Sequence, residues 1–155
     1  MLAINKLSVS LISRSKKKIL LNDISFSISK NQVVGVVGES GSGKSLTALS
    51  ILRLLNNKTF NTSGNIFFNN TDILNLNINQ VQKIRGNKIA MIFQEPMSAL
   101  NPTMNIGDQL IEICERHLTL TKKEILEKIK ILIQKVKLDH IKNLTKKYQI
   151  GRAHV

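Results

Sequence analysis

Residues 38–45 read G-E-S-G-S-G-K-S, and no other stretch of the chain groups residue types so suited to chemistry at so tight a spacing. Gly38, Gly41 and Gly43 allow φ values closed to other residues and a close approach of backbone to ligand. Successive N–H groups from Ser40 to Ser45 can then turn inward on an anion, and the positive end of a following helix adds to the attraction. In such a loop Lys44 can reach the β- and γ-phosphates of a nucleotide, and the Ser45 hydroxyl can ligate Mg²⁺. The spacing fits the phosphate-loop pattern G-x-x-x-x-G-K-[ST]. An ordinary Gly/Ser turn is the bland alternative, and the flanking residues decide against it. The run V-V-G-V-V at 33–37 precedes the loop, and a helical pattern over 46–55 follows. Strand, glycine-rich loop and helix are the context the chemistry requires. The nucleotide-contacting residues expected here are Gly38, Glu39, Ser40, Gly41, Ser42, Gly43, Lys44, Ser45 and Leu46.

The remaining elements must hold that loop. Over residues 2–12 the apolar positions change phase, Leu2 and Ile4 against Leu7, Val9 and Leu11, which predicts two strand pieces or a bulged strand. Residues 14–18 are a polar turn. Ile19, Leu21, Ile24, Phe26 and Ile28 alternate as a half-buried strand does. The run 33–37 is apolar on both faces, as in a central strand of a covered parallel sheet. In the helix after the loop, Leu46, Leu49, Leu52 and Leu55 form one buried stripe. Residues 56–64 read as a loop and 66–68 as a short strand closed by Asn69-Asn70. A linker and short helix follow over 73–84. Residues 89–93 form a second fully apolar strand, which Pro96 must end because it cannot donate a ladder hydrogen bond. Beyond Pro102 the pattern becomes helical, over 106–118 and 122–138, with Thr121 to Glu124 fitting a capping box. A third short helix is expected over 140–145.

Composition narrows the class. The 155 residues carry 23 basic and 10 acidic side chains, net charge +13, and 42% are hydrophobic, enough for a core. Many of the lysines fall over 122–147 between isoleucines, the pattern of a solvated helix face, so no nucleic-acid partner is expected despite the charge. Attraction to anionic lipid or to an acidic partner fits the balance better. Cys114 is the only cysteine, which excludes an intrachain disulfide and a multi-cysteine metal site. On its helix face beside Ile111 and Ile113 it is expected to be packed rather than reactive. His117 and His140 have no metal-binding spacing and are expected at the surface. No signal peptide or membrane-spanning run is evident, which predicts a chain soluble by itself.

Taken with residues 88–102, K-I-A-M-I-F-Q-E-P-M-S-A-L-N-P, the phosphate loop resembles the ATP-binding subunits of ABC transporters. Within that superfamily M-I-F-Q-E-P-M-S-A-L-N-P is similar to the oligopeptide/dipeptide importer group, which includes nickel and glutathione importers. G-N-I-F-F at 64–68 and Asp72-Ile73 resemble the antiparallel subdomain of that family, and the likeness covers about residues 4–148. It implies an α/β fold: a P-loop NTPase (RecA-like) core with an antiparallel β subdomain, followed by the start of an α-helical subdomain. Residues 1–100 would be the first part of the ATPase core, 101–148 a partial helical subdomain. The implied function is ATP-driven import of peptides or related small solutes, with ATP and Mg²⁺ as cofactors. Lys44 and Gln94 would be catalytic, and Ser45 and Gln94 would hold Mg²⁺. Gln94, the glutamine of the family's Q-loop, would signal nucleotide state to the membrane subunits, and 95–104 would lie near the groove for the permease's coupling helix. The implied partners are integral-membrane permease subunits, a second ATPase subunit joined head to tail and, indirectly, a solute-binding protein. The location would be peripheral, at the cytoplasmic face of the inner membrane.

Two departures from the family pattern stand out. Relatives place an aromatic residue on the adenine early in the chain, whereas the matching region offers Leu11, apolar but without a ring face. Hydrolysis also needs an acidic residue for Mg²⁺ and a carboxylate to orient water, and no apolar run here ends in Asp-Glu. Glu95 comes too soon to be that carboxylate. The signature motif and switch histidine are absent as well. Residues 149–155 leave the pattern after Tyr148, and I-G-R-A-H-V resembles a translated sequencing adaptor, which predicts a truncated chain with a non-native tail. Residues 1–155 are therefore expected to lack turnover. The alternatives are a stand-alone, non-catalytic nucleotide-binding or regulatory module and a related ATPase serving nickel or another solute.

Overall fold

A computed structural model describes residues 1–12, 18–94, 100–138 and 144–147. The chain divides into two compact units, Met1–Met91 and Ile92–Val155.

The first unit is built on four antiparallel strands, β1 (Leu2–Leu11), β2 (Lys18–Ile28), β3 (Phe60–Phe68) and β4 (Thr71–Asp72), in the order β2-β1-β3-β4. The phase change read in β1 is a bulge. Its pairing with β3 shifts register between Asn5 and Ser8, and its pairing with β2 shifts between Ile4 and Leu7. Lys6 and Asp23 take left-handed φ of 49° and 52° at these irregularities. The N–H groups freed from the ladder are not orphaned: Lys6 N–H donates to Ser25 Oγ at 2.8 Å and Asp23 N–H to Ser8 Oγ at 3.0 Å. The bulge returns every second side chain to one face, so Ile4, Leu7, Val9, Leu21 and Ile66 are buried together with Ile73. Leu46, Ile51 and Leu55, from the segment after the phosphate loop, pack against that cluster.

β3 starts at Phe60, inside the stretch expected to be a loop, because Phe60 to Ser63 pair with Leu11 to Ser8. Its two asparagines and Gly64 disfavour a strand and outweigh Thr62, but the β1 ladder supplies the missing drive. Asn69 and Asn70, at φ 47° and 65°, make the tight β3–β4 turn. Asp72 then organises the exit: its carboxylate accepts from Asn65 Nδ2, Ile66 N–H, Leu74 N–H and Asn75 Nδ2. A 3₁₀ turn (Ile73–Asn75) and α2 (Ile78–Ile84) follow, α2 opening on a capping box between Asn77 and Gln80.

The two doubly apolar strands are not formed. Residues 33–37 pair with no strand among the described residues, and Val33 and Val37 are 97% and 96% exposed. Over 89–93 the sole sheet-like link among the described residues is a parallel bridge from Ile89 to Arg85, with Ile92 91% exposed. A strand apolar on both faces is stable only between neighbours in a sheet covered on both sides, and the described residues supply neither.

In the second unit α3 (Ile106–His117) is capped by Asn105, and α4 (Lys122–Lys135) by Thr121. Both match their periodicity, α4 burying Ile125 and Ile129. A 3₁₀ turn (Leu144–Lys146) lies against α3, where a Cβ on Gly107 would come within 2.7 Å of Thr145 O. Cys114 is half-buried, as expected, whereas His117 is half-buried rather than exposed. The readings of 14–17, of 95–99, of a helix over 140–143 with His140, and of the tail from Tyr148 fall outside the described residues.

Gly64, at φ 97°, faces Lys6 O across the bulge at a distance where a Cβ would sit 2.4 Å from it. Gly64→Ala should therefore destabilise the first unit by roughly 1–3 kcal/mol, read as a lowered denaturation midpoint. In α4, donation from the Thr121 hydroxyl, then from its N–H, holds the Glu124 carboxyl below its ordinary pKa. A depressed carboxylate contributes stability above its unfolded pKa that is lost as pH falls through the folded one. Far-UV circular dichroism should show α4 fraying on acidification in the native chain, and Glu124→Gln should remove that pH dependence.

Candidate phosphate-binding site

The loop stands between β2 and α1 (Lys44–Ile51), which begins at the lysine itself. Gly43 precedes it in the left-handed region at φ 92°, and Gly41 takes 82°. Such dihedrals strain any residue with a Cβ. Space adds a second demand at Gly43, where a Cβ would lie 2.3 Å from Leu21 Cδ2. The loop therefore rests directly on β2, through a residue that is 3% exposed. Leu21 was not among the sequence candidates; its alternation identified it only as core.

Lys44 closes the loop on itself. Its Nζ donates to Gly38 O at 2.7 Å, to Glu39 O at 2.6 Å and to Ser42 Oγ at 3.3 Å. Ser42 N–H donates to Glu39 O at 3.2 Å, tightening the turn. A Cβ on Gly38 would meet Ser42 Oγ at 2.7 Å, so a side chain there would turn the Ser42 hydroxyl away from its present place beside Lys44. The ammonium is thus held at the centre of the loop by carbonyls that a phosphate oxygen, carrying charge, can displace.

The start of α1 is open to an anion. No side chain caps it and its first turn holds no acidic residue, although the leading N–H groups of a helix have no internal acceptor. Thr47 N–H is the first to find one, Gly43 O at 2.9 Å. The Lys44, Ser45 and Leu46 amides remain, with Ser45 exposed beside them. A cavity of about 420 Å³ also opens here, bounded by Leu21, Ile24 and Phe26, by residues 34–37 and by Ser42 to Lys44. Its walls are mainly apolar, which makes it the gap between β2 and the unpaired segment rather than a seat for phosphate. Among the described residues no three His, Cys, Asp or Glu side chains converge on a metal position.

Of the expected site residues, 38–46 come together around Lys44. Gln94 is exposed and belongs to the second unit. Leu11, the expected base contact, is half-buried at the end of β1 and pairs with Lys18 and Phe60.

The ABC transporter family matches residues 21–152. The chain is 41% identical over 119 residues to the probable peptide ABC transporter ATP-binding protein y4tR of Sinorhizobium fredii, covering 76% of this chain and 36% of that protein. It is 36% identical over 149 residues to the oligopeptide transport ATP-binding protein AppD of Bacillus subtilis, covering 96% and 45%. The chain thus spans less than half the length of these relatives. In three dimensions it resembles the dimeric, ADP- and phosphate-bound ATP-binding cassette MJ0796, with a TM-score of 0.78 at 17% identity, over 97% of this chain and 63% of the other. That likeness supports the P-loop NTPase fold, formed here with its antiparallel subdomain but without paired central strands. With a phosphate loop of this geometry and a family match over 21–152, the chain belongs to the ABC transporter family.

Proposed function

We propose that this chain carries the nucleotide-binding part of an ATP-binding subunit that energises import of peptides or related small solutes. The observation that carries the reading is the Lys44 ammonium held inside a loop whose adjoining helix start has amides to spare. An incoming triphosphate would take over the ammonium from Gly38 O and Glu39 O, while the Lys44, Ser45 and Leu46 amides close on its oxygens. Glu39 and Ser40 contribute backbone to the same loop. The Ser45 hydroxyl would hold Mg²⁺, a hard cation that prefers oxygen donors. Bound there it would neutralise charge between the β- and γ-phosphates. Gln94 would complete the metal and water shell and report nucleotide state, as the family resemblance implies.

The relatives named for peptide transport support the substrate class. In the complete protein two such subunits would pair head to tail beneath integral-membrane permease subunits, at the cytoplasmic face of the membrane, a solute-binding protein delivering cargo from the other side. No helix among the described residues is long and apolar enough to cross a membrane, in keeping with a peripheral position. The expected catalytic carboxylate has no counterpart in residues 1–155, so we expect binding without turnover.

Titration of the purified chain with a fluorescent ATP analogue tests the reading. Lys44→Ala should weaken binding by roughly ten- to a hundredfold, the worth of charge-assisted hydrogen bonds. Gly43→Ala should abolish it by lifting the loop from Leu21. Equal affinity in wild type and Lys44→Ala, or Mg²⁺-dependent ATP turnover lost on Lys44→Ala, would contradict the account, the first its site and the second its inactive fragment.

A further inference from the structure

The end of α1 remote from Lys44 is fastened in an unusual way. Leu54 N–H donates to Leu49 O and Arg53 N–H to Ser50 O, both at 2.9 Å. This pair of bonds is the Schellman ending, which normally places glycine at the left-handed position. Here that position is Arg53, at φ 51°. A strained backbone at a residue with a long side chain points to a use for the side chain. Arg53 Nη1 donates to Ile73 O at 3.3 Å and also to Leu76 O, on either edge of the 3₁₀ turn that leaves the sheet.

A second guanidinium completes the arrangement. Arg85, the residue that ends α2, donates from Nε to Leu52 O at 2.7 Å and from Nη2 to Arg53 O at 2.6 Å. These are unsatisfied carbonyls at the negative end of the helix, where a cation is favoured. The last turn of α1 contains no basic residue of its own. The arrangement carries a cost, because burial, then repulsion from Arg53, lowers the Arg85 pKa from its ordinary value. Glycine at 53 would avoid both the strain and the repulsion and still end the helix. What it could not do is tie α1 to residues 73–76.

We propose that Arg53 and Arg85 are positioning residues for the phosphate loop, clamping the far end of α1 to residues 73–76 and to the end of α2. The clamp fixes the axis along which Lys44 and the leading amides are presented. Residue 85 also opens the segment that runs on through Ile89 toward Gln94: Gly86 N–H donates to Ile89 O at 2.9 Å and Ile89 N–H to Ile84 O at 3.1 Å. Its consequence for nucleotide rests on the function proposed above, whereas its mechanical part does not.

Arg53→Gly separates the two roles, because it improves the helix ending while removing the tie; Arg85→Lys keeps the charge and loses the two-carbonyl fork. Hydrogen exchange of the amides of residues 41–46, thermal unfolding and ATP-analogue affinity would be measured on the wild-type chain and both variants. We expect an unchanged or higher Tm for Arg53→Gly, exchange several-fold faster at 41–46 in both variants, and affinity weakened roughly two- to thirtyfold. Unchanged exchange at 41–46 in both variants overturns the proposal whatever the affinities. Exchange accelerated evenly over the sheet, with a lowered Tm for Arg53→Gly, also overturns it by making the arginines merely structural. Wild-type chain that fails to bind the analogue while its loop exchange still answers to Arg53 counts against the nucleotide reading alone.

Discussion

A single ammonium group inside a ring of main-chain atoms is the interaction on which the rest of this structure depends. Lys44 Nζ reaches Gly38 O and Glu39 O at 2.7 and 2.6 Å, distances that hold the loop in a concave form. Charge-assisted bonds of this kind are roughly twice as strong as neutral ones. They are made to carbonyls, however, and a multiply charged anion outcompetes a carbonyl dipole for a cation. The loop is thereby both ordered and exchangeable. The same residue begins α1, so the ammonium and the unpaired amides of the first turn move as one body.

The antiparallel sheet provides the platform. Its buried face carries Leu21, which touches the α-carbon side of Gly43, and the same hydrophobic cluster receives Leu46 and Ile51 from α1. Loop and helix are therefore seated on one surface. The bulges at Lys6 and Asp23 serve that surface, since without them the side chains on either side of the irregularity could not share a face. Their cost is offset locally by two serine hydroxyls, Ser25 and Ser8, which accept the displaced amides.

Much of this was legible in the sequence, and the residues explain where legibility stopped. The phosphate loop could be read because its glycines, lysine and serine have fixed offsets along the chain. The bulge in β1 could be read because a change of phase between Ile4 and Leu7 has few other causes. The cap of α4 follows from Thr121 standing three residues before Glu124 at the head of an apolar periodicity, whereas the Asn105 cap of α3 emerges only in the fold. β3 was underestimated because Asn61, Gly64 and Asn65 disfavour a strand and the segment is ordered by pairing with β1. The unpaired state of 33–37 was hidden for the opposite reason. Its valines have the composition of a central strand, but composition specifies a preference and a sheet requires neighbours. Arg53 and Arg85 were invisible as a pair, since the 31 residues between them fold back on themselves. Leu21 was read as core, and only the fold brings it under Gly43.

The central claim is that the amides of residues 41–46 and the Lys44 ammonium form a seat for a nucleotide's phosphates. Two-dimensional ¹H–¹⁵N NMR of the labelled chain, titrated with MgATP, tests it most directly. The account predicts saturable shifts at Gly41, Gly43, Lys44, Ser45 and Leu46, with inorganic phosphate moving the same amides more weakly. Shifts confined to the lysine-rich surface of α4, with residues 41–46 unmoved at saturating MgATP, would contradict it.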